Sequence, residues 1–423
     1  EIEFPHSLGL LYSAFTYYTG FKVNGGEYKL MGLAPYGEPK FFQIIMDNLI
    51  DIKEDGSFRL NQKYFDYATG LTMTNNKFDK LFGNLRRNPD EEKIAQFHMD
   101  IAASIQKVTE FVMLKIVKSL HNEYKIENLC LAGGVALNCV ANGKILKEKI
   151  FKNIWIQPAA GDAGGSLGAA LGYWFNELKK ERPNNNKDQM KCSYLGPEYS
   201  SLEIKDILKD IGANFETLSK DEVLDFTTDK LIEGKAIGWF QGKMEFGPRA
   251  LGGRSIIGDP RSPEMQKKLN LKVKFRESFR PFAPAVLLED LREWFDLESE
   301  SPYMLLVGKV NKSKLIQQTT DQKSAKGLEK LDIIRSEIPA VTHVDDTARI
   351  QTVTAENGIY FDLLKKFKDK TGCPIIVNTS FNIRGEPPVN TPIDAYKCFM
   401  ATDLDVLVIG NCILEKNKQI NFD

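Results

Sequence analysis

The sequence predicts an α/β protein of two domains. Twice within residues 1–177 an apolar strand runs through a glycine turn into a helix. Beyond a polar stretch, a second set of short apolar strands alternates with helical spacing. A length of 423 residues suits two domains. Residues 91–124 predict a long amphipathic helix, because Ile94, Phe97, Ile101, Ile105, Val108, Val112 and Ile116 recur at helical spacing. A strand at 128–131 leads into Ala132-Gly133-Gly134-Val135 and then a helix carrying Leu137 and Asn138. A second strand, 154–157, leads through Gly161-Asp162-Ala163-Gly164-Gly165-Ser166 into a helix over 167–178. Residues 178–191 combine lysines, a proline and an asparagine run without apolar periodicity, which reads as a linker. The expected division is therefore 1–180, a linker at 181–191, and 192–423. In the second domain, strands are expected at 236–240, 284–288, 304–307 and 374–377, with helices at 221–233 and 393–401.

Composition narrows the function. Hydrophobic residues at 42% and charged residues at 27% suit a soluble protein. No apolar run approaches the ~20 residues of a membrane span, and the start has no signal-peptide pattern. Six cysteines without a CxxC pair suggest reduced thiols and the cytoplasm. Four histidines without ligand spacing argue against a self-contained zinc site. The formal net charge is -1, yet residues 241–280 hold ten Lys/Arg against four Asp/Glu. Positive charge concentrated in this way points to a small anionic ligand and away from nucleic acid.

Five segments carry candidate chemistry. The first is 238–255, a strand, a glycine turn and a tight loop with Lys243, Arg249 and Arg254. Glycine permits close backbone approach, and the guanidinium fork matches phosphate or carboxylate oxygens. Arg276 and Arg280, four apart, share a face if helical. His343, two carboxylates and Arg349 lie within eight residues and offer a proton donor or phosphate contacts. Asn378, Thr379, Ser380 and Asn382 precede Arg384, a set suited to phosphate and a planar carbonyl. In the first domain, Gly133, Gly134 and Asn138 suit a nucleotide cradle, against the plainer reading of an ordinary βα turn. Asp162 stands at a strand end before a helix, as either a cation ligand or a helix cap.

Taken in order along the chain, these segments resemble the O-carbamoyltransferases of the NodU/CmcH type. The matching pieces are 26–37, 131–138, the Asp162 loop, 244–255, 279–284, 343–349 and 378–385. The resemblance implies an actin-like (ASKHA) domain followed by a YrdC-like domain. It implies that the YrdC-like module forms a carbamoyl adenylate from carbamoyl phosphate and ATP. The actin-like module would then pass the carbamoyl group to a hydroxyl of a small acceptor, sugar-like or antibiotic-like, with a divalent metal, iron or magnesium. Arg249, Arg254, Arg280, His343, Arg349 and Arg384 would carry the catalysis. Gly133, Gly134, Val135, Asn138, Gly164, Lys243, Arg276, Asn378, Ser380 and Asn382 would bind nucleotide and phosphate, and Asp162 the metal. The family's early histidine pair, four apart, and its first phosphate-binding strand have no counterpart, so the chain is expected to begin inside the first domain. Two alternatives stand beside this reading: an actin-like small-molecule kinase, and a non-catalytic nucleotide-binding fragment. No membrane partner is expected, and a homodimer is the default assembly.

Overall fold

The computed structural model describes residues 1–183 and 188–419. Part of the expected linker, 184–187, lies outside the described residues. The chain forms two compact units, Glu1–Gln157 with Gln318–Ile333, and Pro158–Gln317 with Ile334–Asp423. Residues 158–180, which the sequence reading placed in the first domain, fall in the second unit. One close approach shows why: a Cβ on Gly247 would stand 3.0 Å from the Pro158 carbonyl oxygen.

The first unit is built on the helix Gln96–Tyr124. Ile101, Ile105, Val108 and Val112 are buried along one stripe, as their spacing predicts. The helix Leu8–Tyr18 starts at Ser7, whose side chain accepts from the Leu10 N–H. Its Phe15 and Tyr18 stack edge-on against Phe78, with ring centroids 5.1 and 5.0 Å away. Two short antiparallel strands, β1 (Ile50–Ile52) and β2 (Phe58–Leu60), form a hairpin. A parallel pair follows, β3 (Asn128–Leu131) and β4 (Asn153–Ile156). Between them the sequence reading needs one correction. Gly134–Leu137 is a 3₁₀ turn, and the helix Cys139–Lys147 begins only after Asn138. Asn138 caps that helix by accepting from the Ala141 N–H. A side chain that satisfies an orphan helix donor stops the helix from extending further back.

The second unit is organised by one ten-stranded mixed sheet. In chain order its strands are β5 (Glu216–Thr217), β6 (Ile237–Phe240), β7 (Arg254–Gly258), β8 (Ala283–Leu287) and β9 (Phe295–Asp296). They continue with β10 (Leu306–Val310), β11 (Thr347–Val353), β12 (Ile375–Ser380), β13 (Val406–Ile409) and β14 (Cys412–Glu415). The spatial order is β5-β14-β13-β6-β7-β12-β8-β11-β10-β9. The pairs β13–β6 and β11–β8 are parallel, and the others antiparallel. The central strands β6, β7 and β8 are buried throughout, and β6 and β8 read as continuous rather than alternating apolar runs. The helices Lys220–Ile232 and Ile359–Thr371 pack together, with Lys366 bound to Asp225 at 2.8 Å. The expected helices at 221–233 and 393–401 correspond to Lys220–Ile232 and Pro392–Met400. Arg276 and Arg280 are not on a helix. They lie in an irregular segment between the turn Leu269–Val273 and β8, so they share no helix face.

Candidate functional site

Register sets the base of the site. The pairs Trp239–Ser255, Ser255–Ser380, Asn378–Ala283 and Ala285–Gln351 put these side chains on one face of the sheet. The alanines of β8 are short, so Gln351 reaches past them and accepts from the Asn378 amide at 2.6 Å. Over this face folds the loop between β6 and β7. Trp239 donates its indole N–H to the Gly252 carbonyl at 2.9 Å, and Ser255 Oγ accepts from the Gly252 N–H at 3.1 Å. Gln351 donates to the Leu251 carbonyl and Asn378 to the Ala250 carbonyl, at 2.8 and 3.0 Å. Four strands thus fasten three consecutive residues.

The other side of the loop is held by a carboxylate. Glu245, 7% exposed, accepts from the N–H groups of Leu251, Gly253 and Arg254, at 2.6, 2.8 and 3.1 Å. Gly252 has φ +108, and an added Cβ would stand 2.3 Å from the Tyr360 ring. Gly252→Ala is therefore expected to destabilise the unit by about 3 kcal/mol through backbone strain and overpacking, read by chemical denaturation.

Arg254 is turned into the protein. It is fully buried and donates from its two terminal nitrogens to the carbonyls of Gln241, Gly242, Gly253 and Pro197. Its guanidinium lies 3.5 Å from the Phe240 ring centroid. Burial pushes its pKa down to about 10, with Glu245 opposing, and it stays charged at neutral pH. The role expected from sequence was direct contact with substrate; the geometry gives it the task of bracing the loop. Asn378 is likewise fully buried, and its amide N–H groups serve Ala250 and Gln351.

A second buried basic side chain sits at the Ser380–Asn382 turn. Lys274, 3% exposed, donates its ammonium to the Ser380 carbonyl and hydroxyl and to the Asn382 carbonyl and amide oxygen. Ser380 Oγ in turn donates to Asn382 Oδ1 at 2.7 Å, and the Asn382 amide donates to the Glu386 carbonyl. Burial pushes the Lys274 pKa well down, and the nearby charges of Arg276 and Arg280 add to the fall. Three cations thus gather at the Ser380–Asn382 turn. Arg276 is braced by Asn270 at 2.7 Å and lies over the Phe282 ring. Glu277 stands between Arg280 at 3.9 Å and the exposed Arg384 at 3.6 Å. Lys274 and Glu277 were both missed in the sequence reading, because within a basic run nothing distinguishes the buried lysine. Its spacing two residues before Arg276 was the available signal.

The remaining candidates are placed as follows. Lys243 is exposed and Arg249 half-buried, at the rim and the tip of the β6–β7 loop. His343 is buried in the turn before β11, where its backbone N–H donates to the Thr347 carbonyl. Burial pushes the His343 pKa down; Asp345 opposes the fall and Arg335 adds to it. Asp345 accepts from the Thr347 hydroxyl and N–H, which identifies it as a turn former. Arg349 is on β11 opposite Val307.

In the first unit, Gly133 has φ +93, and no atom lies within 4 Å of an added Cβ on Gly133 or Gly134. Val135 is half-buried in the turn that follows. Asn138 is buried and exchanges two hydrogen bonds with Gln106, which also accepts from Tyr12. Its amide thus serves the cap and Gln106, where the sequence reading gave it to the nucleotide. Asp162 is exposed, and the helix Gly164–Gly172 starts without a side-chain cap, so the plain capping role is not the one it fills. Gly164 is required by packing, since an added Cβ would stand 2.1 Å from the Ala159 carbonyl oxygen. Among the described residues no group of three or more His, Cys, Asp or Glu is arranged to hold a metal ion.

A family model described as Carbamoyltransferase N-terminus matches residues 1–171, and one described as Carbamoyltransferase C-terminus matches 228–416. Nodulation protein NolO of Bradyrhizobium diazoefficiens is 36% identical across 98% of this chain and 70% of its own length. The chain belongs to the carbamoyltransferase family. An uncharacterised protein of Synechocystis is 59% identical over 99% of the chain and 68% of its own length. The 3'-hydroxymethylcephem-O-carbamoyltransferase of Streptomyces clavuligerus is 29% identical over 67% of the chain and 48% of its own length. The chain therefore spans from about half to seven-tenths of these relatives. Within the carbamoyltransferase C-terminal match lie the fastened β6–β7 loop, Lys274 and the Ser380–Asn382 turn. No helix among the described residues is long and apolar enough to cross a membrane.

Proposed function

We propose that the second unit is a YrdC-like module that makes a carbamoyl adenylate from carbamoyl phosphate and ATP. The first unit belongs, on this proposal, to the actin-like module that passes the carbamoyl group to an acceptor hydroxyl. The cluster around Lys274 carries the proposal: the lysine ties Ser380 and Asn382 together, and Arg276 and Arg280 beside it make a preorganised anion site. Two substrates that both present phosphates need such a site, since their charges repel until cations intervene.

The chemistry balances in two steps. Water cleaves carbamoyl phosphate at its mixed anhydride, releasing orthophosphate and leaving carbamate. A carbamate oxygen then attacks the α-phosphorus of ATP; the P–O bond to the β-phosphate breaks, and pyrophosphate leaves. Arg276, Arg280 and Arg384 would hold the leaving phosphates, with Lys243, Arg249 and Arg349 as further contacts. His343, whose pKa burial pushes below the ordinary histidine value, would act as a neutral proton acceptor. A cytoplasmic setting accords with six unpaired cysteines, of which Cys130 alone is exposed.

The test is ATP turnover with and without carbamoyl phosphate, resolving AMP and pyrophosphate from ADP. Pyrophosphate formed only with carbamoyl phosphate is the expected result, with AMP following as the acceptor hydroxyl, or water in its absence, attacks the carbamoyl carbon and displaces it. ADP formed without carbamoyl phosphate would replace this reading with that of a kinase.

A further inference from the structure

We propose that the turn Lys191–Ser193 and Tyr194 form a clasp that holds the β6–β7 loop in place, with Tyr194 the positioning residue for Arg249. The task of Arg249 toward phosphate rests on the carbamoyl-adenylate reading above, and the clasp on geometry alone. The two family matches end at residue 171 and resume at 228, so neither covers this segment. Lys191, Cys192 and Ser193 have φ +47, +56 and +66, and none is glycine. Left-handed residues with side chains occur singly; three in succession form a turn that sterics oppose. Such a turn persists only where its surroundings impose it.

The turn is anchored on both sides. Before it, the Met190 N–H donates to the Asp188 carboxylate at 2.8 Å, and the same carboxylate accepts from the Tyr303 hydroxyl. After it, the chain pairs with the loop. The Phe246 N–H donates to the Ser193 carbonyl at 2.7 Å, and the Ser193 hydroxyl to the Phe246 carbonyl at 2.5 Å. The Gly196 N–H donates to the Met244 carbonyl and the Met244 N–H to the Pro197 carbonyl, both at 2.9 Å. The Tyr194 hydroxyl then crosses to the far limb, donating to the Leu251 carbonyl at 2.8 Å and accepting from the Asn357 amide at 3.3 Å. Both limbs of the loop are thus tied to one short segment, and Arg249 lies between them, half-buried. The far limb is also held from the sheet, whereas Met244 and Phe246 take their backbone partners from the clasp. A right-handed turn at 191–193 would carry Ser193 and Tyr194 away from both limbs. A loop ordered before substrate arrives binds without the entropy loss of ordering it.

Hydrogen exchange and a double-mutant cycle on the whole chain test this. Lys191 is exposed, so its backbone can be probed without disturbing packing. Glycine adopts positive φ freely and valine resists it. In Lys191→Val the amides of Phe246 and Leu251 should exchange about tenfold faster, while those of β12 do not change. Lys191→Gly should match the unaltered chain. Unchanged exchange in Lys191→Val, or equal acceleration in Lys191→Gly, would overturn the clasp. Tyr194→Phe carries the same expectation at both amides if the valine variant fails to fold. In turnover, Tyr194→Phe should lower kcat/KM for carbamoyl-phosphate-dependent pyrophosphate release about tenfold, the loss of one hydrogen bond. In an Arg249→Ala background it should add nothing, because both changes remove the same contact. Losses that multiply, or release unaffected by Tyr194→Phe, would overturn the positioning role. A chain that releases no pyrophosphate before any substitution would remove the functional reading, and the exchange result would then decide the clasp by itself.

Discussion

Lys274→Met is expected to lower carbamoyl-phosphate-dependent pyrophosphate release by ~10²–10³-fold, the usual loss when one preorganised electrostatic contact is removed. The side chain has two tasks. Its ammonium joins four oxygens of Ser380 and Asn382, and its charge sits beside Arg276 and Arg280. Methionine fills the volume without either. Lys274→Arg separates the two tasks, since guanidinium stays charged at every accessible pH. The sign of the pH dependence follows from the depressed pKa of Lys274. In the free enzyme its proton leaves at a pH below the ordinary lysine range, so kcat/KM should fall on the alkaline side earlier than for an exposed lysine. The same shift acts on stability: an unfolded lysine holds its proton more tightly, so this group opposes folding below its folded pKa and ceases to do so above its unfolded one. The arginine variant should keep part of the activity and lose that alkaline limb. A limb unchanged in Lys274→Arg would assign the titration to another group.

Glu245→Ala should produce the largest loss of structure around the site. Three buried N–H groups, of Leu251, Gly253 and Arg254, would lose their acceptor together. At ~1–3 kcal/mol for each unsatisfied buried group, a total of roughly 3–5 kcal/mol is expected after partial relaxation. Arg254 would also lose the carboxylate that most opposes the fall in its pKa. Hydrogen exchange should show the amides of Leu251 and Gly253 losing protection before those of β12. Uniform protection across the unit would mean that Trp239, Gln351 and Asn378 suffice to hold the loop.

Much of this architecture was legible because its signals are local. Ile237–Phe240 and Ala283–Leu287 are uninterrupted apolar runs, and buried strands read that way. The long helix Gln96–Tyr124 follows from its apolar stripe. The hairpin Val406–Ile409 to Cys412–Glu415 was missed, although Gly410-Asn411 between two apolar runs is a two-residue turn signal. Strand β7 was read as loop because it opens on Arg254-Ser255 after two glycines. The site was legible as a concentration of charge but not as a division of labour. An arginine bonded to four carbonyls and an arginine facing a ligand look alike in sequence, so Arg254 was misassigned while Lys274 passed unnoticed. Asn138 and Asn378 show the same limit: an amide's partners lie 32 residues away at Gln106 and 27 away at Gln351, and spacing does not reveal them.

The central claim is that the Lys274 site makes a carbamoyl adenylate, and exchange of labelled pyrophosphate into ATP tests it most directly. Exchange that requires carbamoyl phosphate, and that disappears in Lys274→Met while the variant stays folded, is the predicted result. Exchange without carbamoyl phosphate, or exchange undiminished in Lys274→Met, would contradict it.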